Sequence, residues 1–401
     1  MTSFTPAARV ARIKPSPSVA AAARAKELRA AGVDLVDMTV GEPDFDTPDA
    51  IKEVGIAAIR NGDTKYTPVN GTPALRQAIR ARMLDRAGIS YGDDQISVGG
   101  GAKQVIFVAL MASVDGDAEV IIPAPYWVSY PDMVLANEGK PVIVECPESA
   151  GFKLTPEALE AAITEKTRWL ILNAPSNPTG AAYSEAELKA LAAVLDRHPH
   201  VWVMTDEIYD EIWFEAGRVQ SIVKVAPQLA DRTFVVNGVS KSYAMTGWRI
   251  GYGVGPAPLI GAINKLQSQM SSCPASMSQA AAAAAMTGDQ SSIAETVAVY
   301  KQRRDIAVAA INKIEGLSCS VPSGAFYLYP NCAGVIGKTT PKGTKIESDL
   351  DFVLYLLDSG VAAIHGAAYG LSPHFRISTA TSTDLIEEAC RRIAAAVAAL
   401  K

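Results

Sequence analysis

Between residues 95 and 254 short apolar β-prone runs alternate with helical stretches, a pattern few folds accommodate. The runs occupy 96–98, 119–122, 142–145, 169–172, 201–205, 233–236 and 250–254. Strands separated by helices build a mainly parallel sheet with helices on both faces, and the near-continuous apolar character of the runs fits burial on both faces. The expected core is therefore an α/β domain with seven strands.

The flanks read differently. With 401 residues the chain has room for two domains. Residues 1–18 carry Pro6, Pro15 and Pro17 and read as an extended arm. A helix over 19–31 ends at Gly32, a strand covers 35–40, and a turn-rich loop, GEPDFDTP, follows at 41–48. A helix covers 49–61; the next starts near Thr72 and Pro73, a favourable N-cap and first helical residue. The alanine-rich 280–286 reads as a closely packed helix. After about 290 the pattern becomes α+β: a long helix over 293–314, AFYLYP at 325–330, an exposed insertion at 334–347 and a helix at 350–359. Strands at 361–364 and 375–378 precede a last helix with Thr383 as N-cap. The expected division is an arm (1–18), a small domain (19–48 with 293–401) and a large domain (49–292).

Net charge is −5 and the pI is near 5.6, so no basic face is offered to nucleic acid or anionic lipid. Five scattered cysteines without a C-x-x-C pair and four histidines without ligand spacing point to a reduced, cytoplasmic protein without structural zinc. The N-terminus has no long apolar core of a secretory signal, and no run is long enough to cross a membrane.

In an open α/β sheet, ligands bind beyond the carboxyl ends of the strands, and the residues with chemistry gather there. GGGAK (99–103) opens a helix; it lacks P-loop spacing and reads as either a tight turn or an anion site. APYWVSYP places Trp127 and Tyr130 where they could stack on a planar ring or belong to the core. NAPSNPTG (173–180) is a rigid polar loop able to aim Asn177, or an ordinary connection. Asp206, at a strand end, is costly to ionise unless a cation such as a protonated pyridine pairs with it; Tyr209 follows three residues later. Arg249 and Arg376 are placed to bind anions, and Arg376 alone could equally form an internal ion pair.

One stretch gives these parts a focus. NGVSKSYAMTGWRIG (237–251) sets Lys241 just past a strand end among small residues, where a lysine can form a Schiff base with an aldehyde cofactor or simply be solvated.

Taken together, GEPDFDTP, KYTPVNG, GGAKQ, PYWVSYP, NAPSNPTG, DEIY, SKSYAMTGWRIGY, GAFYLYP and FRIS, in this order, resemble the fold-type I, pyridoxal-phosphate-dependent aminotransferases of class I/II. The likeness spans nearly the whole chain and is greatest to the bacterial aspartate aminotransferase subgroup Ib, some of whose members also use prephenate. It implies a large domain with a mainly parallel seven-stranded sheet, a smaller α+β domain, pyridoxal 5′-phosphate as cofactor, and a homodimer with shared active sites. By the resemblance Lys241 carries the cofactor, Asp206 pairs with the pyridine nitrogen, Tyr209 and Asn177 bond the phenolic oxygen, and Trp127 stacks on the ring. Gly101, Ala102, Ser240 and Arg249 hold the phosphate, with Tyr66 reaching in from the neighbouring subunit. Arg376 grips the substrate α-carboxylate and Gly41 lines the pocket. Trp127 and Asn177 also face the substrate, Lys103 serves a distal carboxylate, and Lys14 matches an arm lysine linked to prephenate use. Two departures stand out: Gly238 lies where many members have a phosphate-binding serine, and Thr379 replaces a tyrosine common in close relatives.

The activity this implies is ping-pong transfer of an amino group from L-aspartate to 2-oxoglutarate. Prephenate or aromatic transamination and carbon–sulfur lysis are the same-fold alternatives. A non-catalytic regulator has no DNA-binding module to support it. A nicotinamide dehydrogenase fails because GYGVG (251–255) lacks the G-x-G-x-x-G spacing.

Overall fold

A computed structural model describes residues 4–401; the first three residues of the expected arm lie outside the described residues. The central sheet has seven strands in the order Ile96–Gly99, Gly251–Val254, Thr233–Gly238, Trp202–Asp206, Thr167–Asn173, Glu119–Ala124 and Lys140–Glu145. Only Gly251–Val254 runs antiparallel to its neighbours. Thr233–Gly238 and Gly251–Val254 are buried along their length, as the apolar runs require, and so is the edge strand Ile96–Gly99, whereas the opposite edge, Lys140–Glu145, has exposed positions. Helix Ala102–Ser113 packs on the sheet through Val105, Val108 and Ala109, with Ile260 and Ile263 of Ala257–Met270 in the same core.

A separate core collects Val36, Leu328, Phe352, Phe375, Ile377, Ile386 and Ile393. It carries a two-stranded parallel sheet (Val36–Asp37 with Val361–Ala362) and a three-stranded antiparallel one (Ile364–His365, Phe375–Ser378, Tyr327–Leu328). The expected strand at 361–364 is thus two short strands in two sheets, and 35–40 shortens to Val36–Asp37. Helix Ser291–Ile311 runs through both regions. Ile293 packs with the central-sheet core, and Ala307 and Ile311 with the separate one.

Several expectations need correction. The arm is not wholly extended: Ala8–Ala11 is helical, and the next helix starts at Pro17, because proline is well tolerated in a first helical turn. The 334–347 stretch is not simply exposed, since Val335, Thr340 and Ile346 are buried. The last helix, Thr383–Ala398, is capped by Ser382 rather than Thr383; the Ser382 hydroxyl accepts from Leu385 N–H at 3.3 Å. Thr72 caps Pro73–Ala87 as expected, accepting from Leu75 N–H at 3.4 Å.

Candidate active site

Beyond the carboxyl ends of the central strands, between the two cores, lies a cavity of about 670 Å³. Asp206 is the last residue of its strand and is buried in the cavity floor. The Tyr130 hydroxyl donates to Asp206 Oδ2 at 2.6 Å and Ile208 N–H donates to Oδ1 at 3.2 Å. Burial pushes the Asp206 carboxyl up to about 6, against the pull of these two hydrogen bonds and the Lys241 charge.

Lys241 follows strand Thr233–Gly238 and is half-buried. Its Nζ donates to the Gly41 carbonyl and lies 5.9 Å from the centres of both the Tyr209 and Phe326 rings. Desolvation lowers its ammonium to about 8; Glu42 opposes this, while Arg376 and Arg249 add to it. The Tyr209 hydroxyl shares a hydrogen bond of 2.9 Å with Tyr327.

Arg376 projects from strand Phe375–Ser378 and is buried. Its Nη1 donates to Asn177 Oδ1 at 3.1 Å and Nη2 to the Thr39 carbonyl at 2.7 Å, while its guanidinium lies over the Tyr327 ring at 4.4 Å. Nε is buried without a hydrogen-bond partner. No carboxylate among the described residues pairs with Arg376, so the internal ion pair left open by the sequence does not form there. Asn177 is itself oriented by Asn173, whose side chain accepts from the Asn177 N–H at 2.8 Å.

Arg249 has a left-handed backbone (φ 55°) and donates from Nη1 to the Thr246 carbonyl at 2.8 Å and from Nη2 to the Gly100 carbonyl at 2.9 Å. Its guanidinium packs on Gly101, where a Cβ would collide with it and where φ is 99°. Ala102, next in the chain, opens helix Ala102–Ser113, so the guanidinium and the helix N-terminus form one anion-seeking corner, and the buried Ser240 lines the same cavity. Gly238 admits no serine: a Cβ there would stand 2.9 Å from the Ile250 carbonyl oxygen. Lys103 lies over the Trp127 ring at 4.9 Å, and burial followed by the Arg249 charge lowers its ammonium.

The cavity thus brings together Gly41, Ala102, Lys103, Trp127, Asn177 and Asp206, and with them Tyr209, Ser240, Lys241, Arg249 and Arg376. Gly101 stands just behind its wall. Tyr66 is 90% exposed and does not reach the cavity. Lys14 is also outside it; its backbone N–H donates to Asp132 at 3.1 Å. Sequence reasoning missed Tyr130 as the partner of Asp206, Tyr327 as the partner of Tyr209, and Thr39, Glu42 and Lys26 as lining residues. Tyr130, Tyr327 and Glu42 stand in the motifs APYWVSYP, GAFYLYP and GEPDFDTP, which gave no partner for them; nothing in the sequence pointed to Thr39 or Lys26.

The family model described as "Aminotransferase class I and II" matches residues 33–393. The chain belongs to the class I and II aminotransferases. This aminotransferase is 51% identical to an aspartate aminotransferase of Rhizobium meliloti, over 98% of this chain and 96% of that protein. It is 50% identical to an aspartate/prephenate aminotransferase of Cereibacter sphaeroides, over 98% of each. The crystal structure of the aspartate aminotransferase from Rhizobium meliloti superposes with a TM-score of 0.97 at 50% identity, covering 100% of both chains. An aspartate aminotransferase from Thermus thermophilus with maleate gives 0.92 at 37%, covering 99% of this chain and 100% of that one.

The aminotransferase uses pyridoxal 5′-phosphate, and the chemistry of the cavity fits that group. A buried carboxylate held by Tyr130 suits a protonated ring nitrogen, a lysine shifted toward neutrality suits an aldehyde, and the Arg249 corner suits a phosphate. Among the described residues no helix is long and apolar enough to cross a membrane, and no cluster of metal-ligating side chains occurs.

Proposed function

We propose that this aminotransferase moves the amino group of L-aspartate to 2-oxoglutarate, releasing oxaloacetate and L-glutamate in a ping-pong cycle. The observation that carries this is the pairing of Lys241 and Arg376 in a cavity that also holds Lys103. An amine able to carry an aldehyde, a guanidinium for an α-carboxylate and a spare cation surround one space. The names of the relatives support aspartate as donor.

Bound pyridoxal 5′-phosphate supplies an aldehyde for amine condensation and a protonated pyridine ring that withdraws electrons. Asp206 holds the ring-nitrogen proton, and Tyr130 keeps Asp206 an anion while it does so. Tyr209 and Asn177 orient the ring oxygen, and Trp127 covers a ring face. Gly101, Ala102, Ser240 and Arg249 take the phosphate. Lys241 would hold the cofactor in the absence of substrate; with the substrate amine in its place, its neutral Nζ would take the substrate α-proton and deliver it to the former aldehyde carbon, the shift that turns the amino acid into a 2-oxo acid. Arg376 fixes the α-carboxylate through its guanidinium edge, which includes the unpartnered Nε.

The exposed Tyr66 supports a homodimer in which Tyr66 completes the partner's phosphate site. The two separate cores support the division into a large domain (49–292) and a small one (19–48 with 293–401). The second activity, on prephenate, is favoured by the name of the Cereibacter relative. A panel of amino donors offered with 2-oxoglutarate decides among these. Aspartate should lead, whereas a lead for aromatic donors or prephenate as acceptor would replace aspartate, and ammonia released without an acceptor would indicate a lyase.

A further inference from the structure

Helix Pro17–Ala30 forms one side of the cavity with a single face. Val19, Ala22, Ala23 and Lys26 follow the i, i+3, i+4, i+7 spacing that aligns side chains on one side of a helix, and all four line the cavity. Lys26 is the only charge among them. It has no ion pair or hydrogen bond among the described residues; Arg24, two residues earlier, pairs instead with Glu27 along the helix at 3.4 Å.

The cavity wall carries the cations Lys26, Lys103, Lys241, Arg249 and Arg376 against the carboxylates Glu42 and Asp206. Under the proposed function Lys241, Arg249 and Arg376 answer to the cofactor aldehyde, the phosphate and the α-carboxylate. Glu42 accepts from the Thr246 hydroxyl at 2.8 Å, and Asp206 is held by Tyr130 and Ile208. Two cations therefore remain, Lys103 against the Trp127 ring and Lys26 on the helix, with no anion from the chain assigned to them.

We infer that Lys26 is a specificity residue that, with Lys103, receives the side-chain carboxylate of dicarboxylic substrates. The inference rests on the proposed function. An enzyme that alternates between aspartate and 2-oxoglutarate must accept a distal carboxylate at two distances from the α-carbon. Two ammonium groups on flexible stems from different elements can follow that difference, where one rigid guanidinium fork would favour a single length. Lys14, which the resemblance put forward as the arm's substrate lysine, lies outside the cavity, and Lys26 is the lysine of this N-terminal region that lines it.

The test compares wild type with Lys26→Ala, Lys26→Gln and Lys26→Arg. It reads kcat and KM for aspartate, 2-oxoglutarate and alanine, and the inhibition constant of succinate, a dicarboxylate without an amino group. Lys26→Ala and Lys26→Gln should raise the succinate inhibition constant and both dicarboxylate KM values about five- to tenfold, the scale of one partly solvated charged contact. Values of kcat, and of kcat/KM for alanine, should not change, and Lys26→Arg, which keeps the charge on a stiffer head, should recover the KM of one dicarboxylate more than that of the other. A succinate constant within twofold of wild type in Lys26→Ala overturns the inference. So does a wild-type response from Lys26→Gln, which would assign the effect to the stem. If wild type does not prefer aspartate to alanine, the proposed function itself falls, whereas a wild-type preference that Lys26→Ala leaves intact removes only the role of Lys26.

Discussion

The Tyr130 hydroxyl donates to Asp206 Oδ2 at 2.6 Å in a position buried from water, so one of the two carboxylate oxygens at the cavity floor is fixed before any ligand arrives. Burial raises the Asp206 carboxyl to about 6 and the Tyr130 bond resists that rise. Tyr130→Phe should therefore push the carboxyl higher still, and the acid limb of the pH dependence of cofactor affinity should move up. At neutral pH the dissociation constant should rise about tenfold, the scale of one charge-assisted hydrogen bond. Equilibrium dialysis across pH measures this; an unmoved limb would deny Tyr130 the role.

Lys241 must be neutral to bond to an aldehyde. With its ammonium lowered to about 8 from 10.5, capture of pyridoxal 5′-phosphate by cofactor-free protein should quicken with rising pH and level off above about 8. A rate still climbing through pH 10 would mean that desolvation and the Arg376 and Arg249 charges do not act on it. The linkage has a matching sign: the folded state binds fewer protons between 8 and 10.5, so the unfavourable contribution of a desolvated ammonium is present below 8 and fades as pH rises through this window.

Arg376 offers a planar fork stacked on Tyr327, with Asn177 and the Thr39 carbonyl holding its orientation. Arg376→Lys keeps the charge but loses the fork. It should raise KM for both amino acid and 2-oxo acid about 30-fold or more, which corresponds to about 2 kcal/mol of charge-assisted hydrogen bonding. Steady-state kinetics on each half-reaction would show whether the loss is shared by both substrates, as a common α-carboxylate contact requires.

The central sheet could be read from the sequence because its inner strands are buried on both faces, and such strands must be nearly continuous in apolar residues. The site residues that follow strand ends, Lys241, Asp206, Asn177 and Ala102, were legible for the same reason: the topology delivers strand ends to one side. What stayed hidden depends on packing between distant segments. The Tyr209–Tyr327 bond spans 118 positions and the Arg376–Thr39 bond 337, and no local pattern encodes either. Lys26 escaped notice because it is an exposed residue of a surface helix, and only the fold shows the cavity that this face borders. Gly238 appeared as a departure in sequence and has a steric cause in the structure, the nearby Ile250 carbonyl.

Thr379, the other departure, is buried and its hydroxyl has no hydrogen-bond partner among the described residues, although its N–H donates to the Phe326 carbonyl at 2.8 Å. An unsatisfied buried hydroxyl is unfavourable, so Thr379→Val, nearly the same shape, should stabilise the cofactor-free protein by about 1 kcal/mol. Denaturant melts at fixed protein concentration check this; a destabilised variant would show that the hydroxyl has a partner.

The account turns on Lys241 as the lysine that holds the cofactor. Borohydride reduction of the loaded enzyme, followed by peptide mapping by mass spectrometry, tests it most directly. The cofactor mass should appear on the peptide containing Lys241, with none on Lys103 or Lys26, and Lys241→Ala should retain no covalent cofactor and no turnover. An adduct on another lysine, or a Lys241→Ala variant that still transaminates at the wild-type rate, would contradict it.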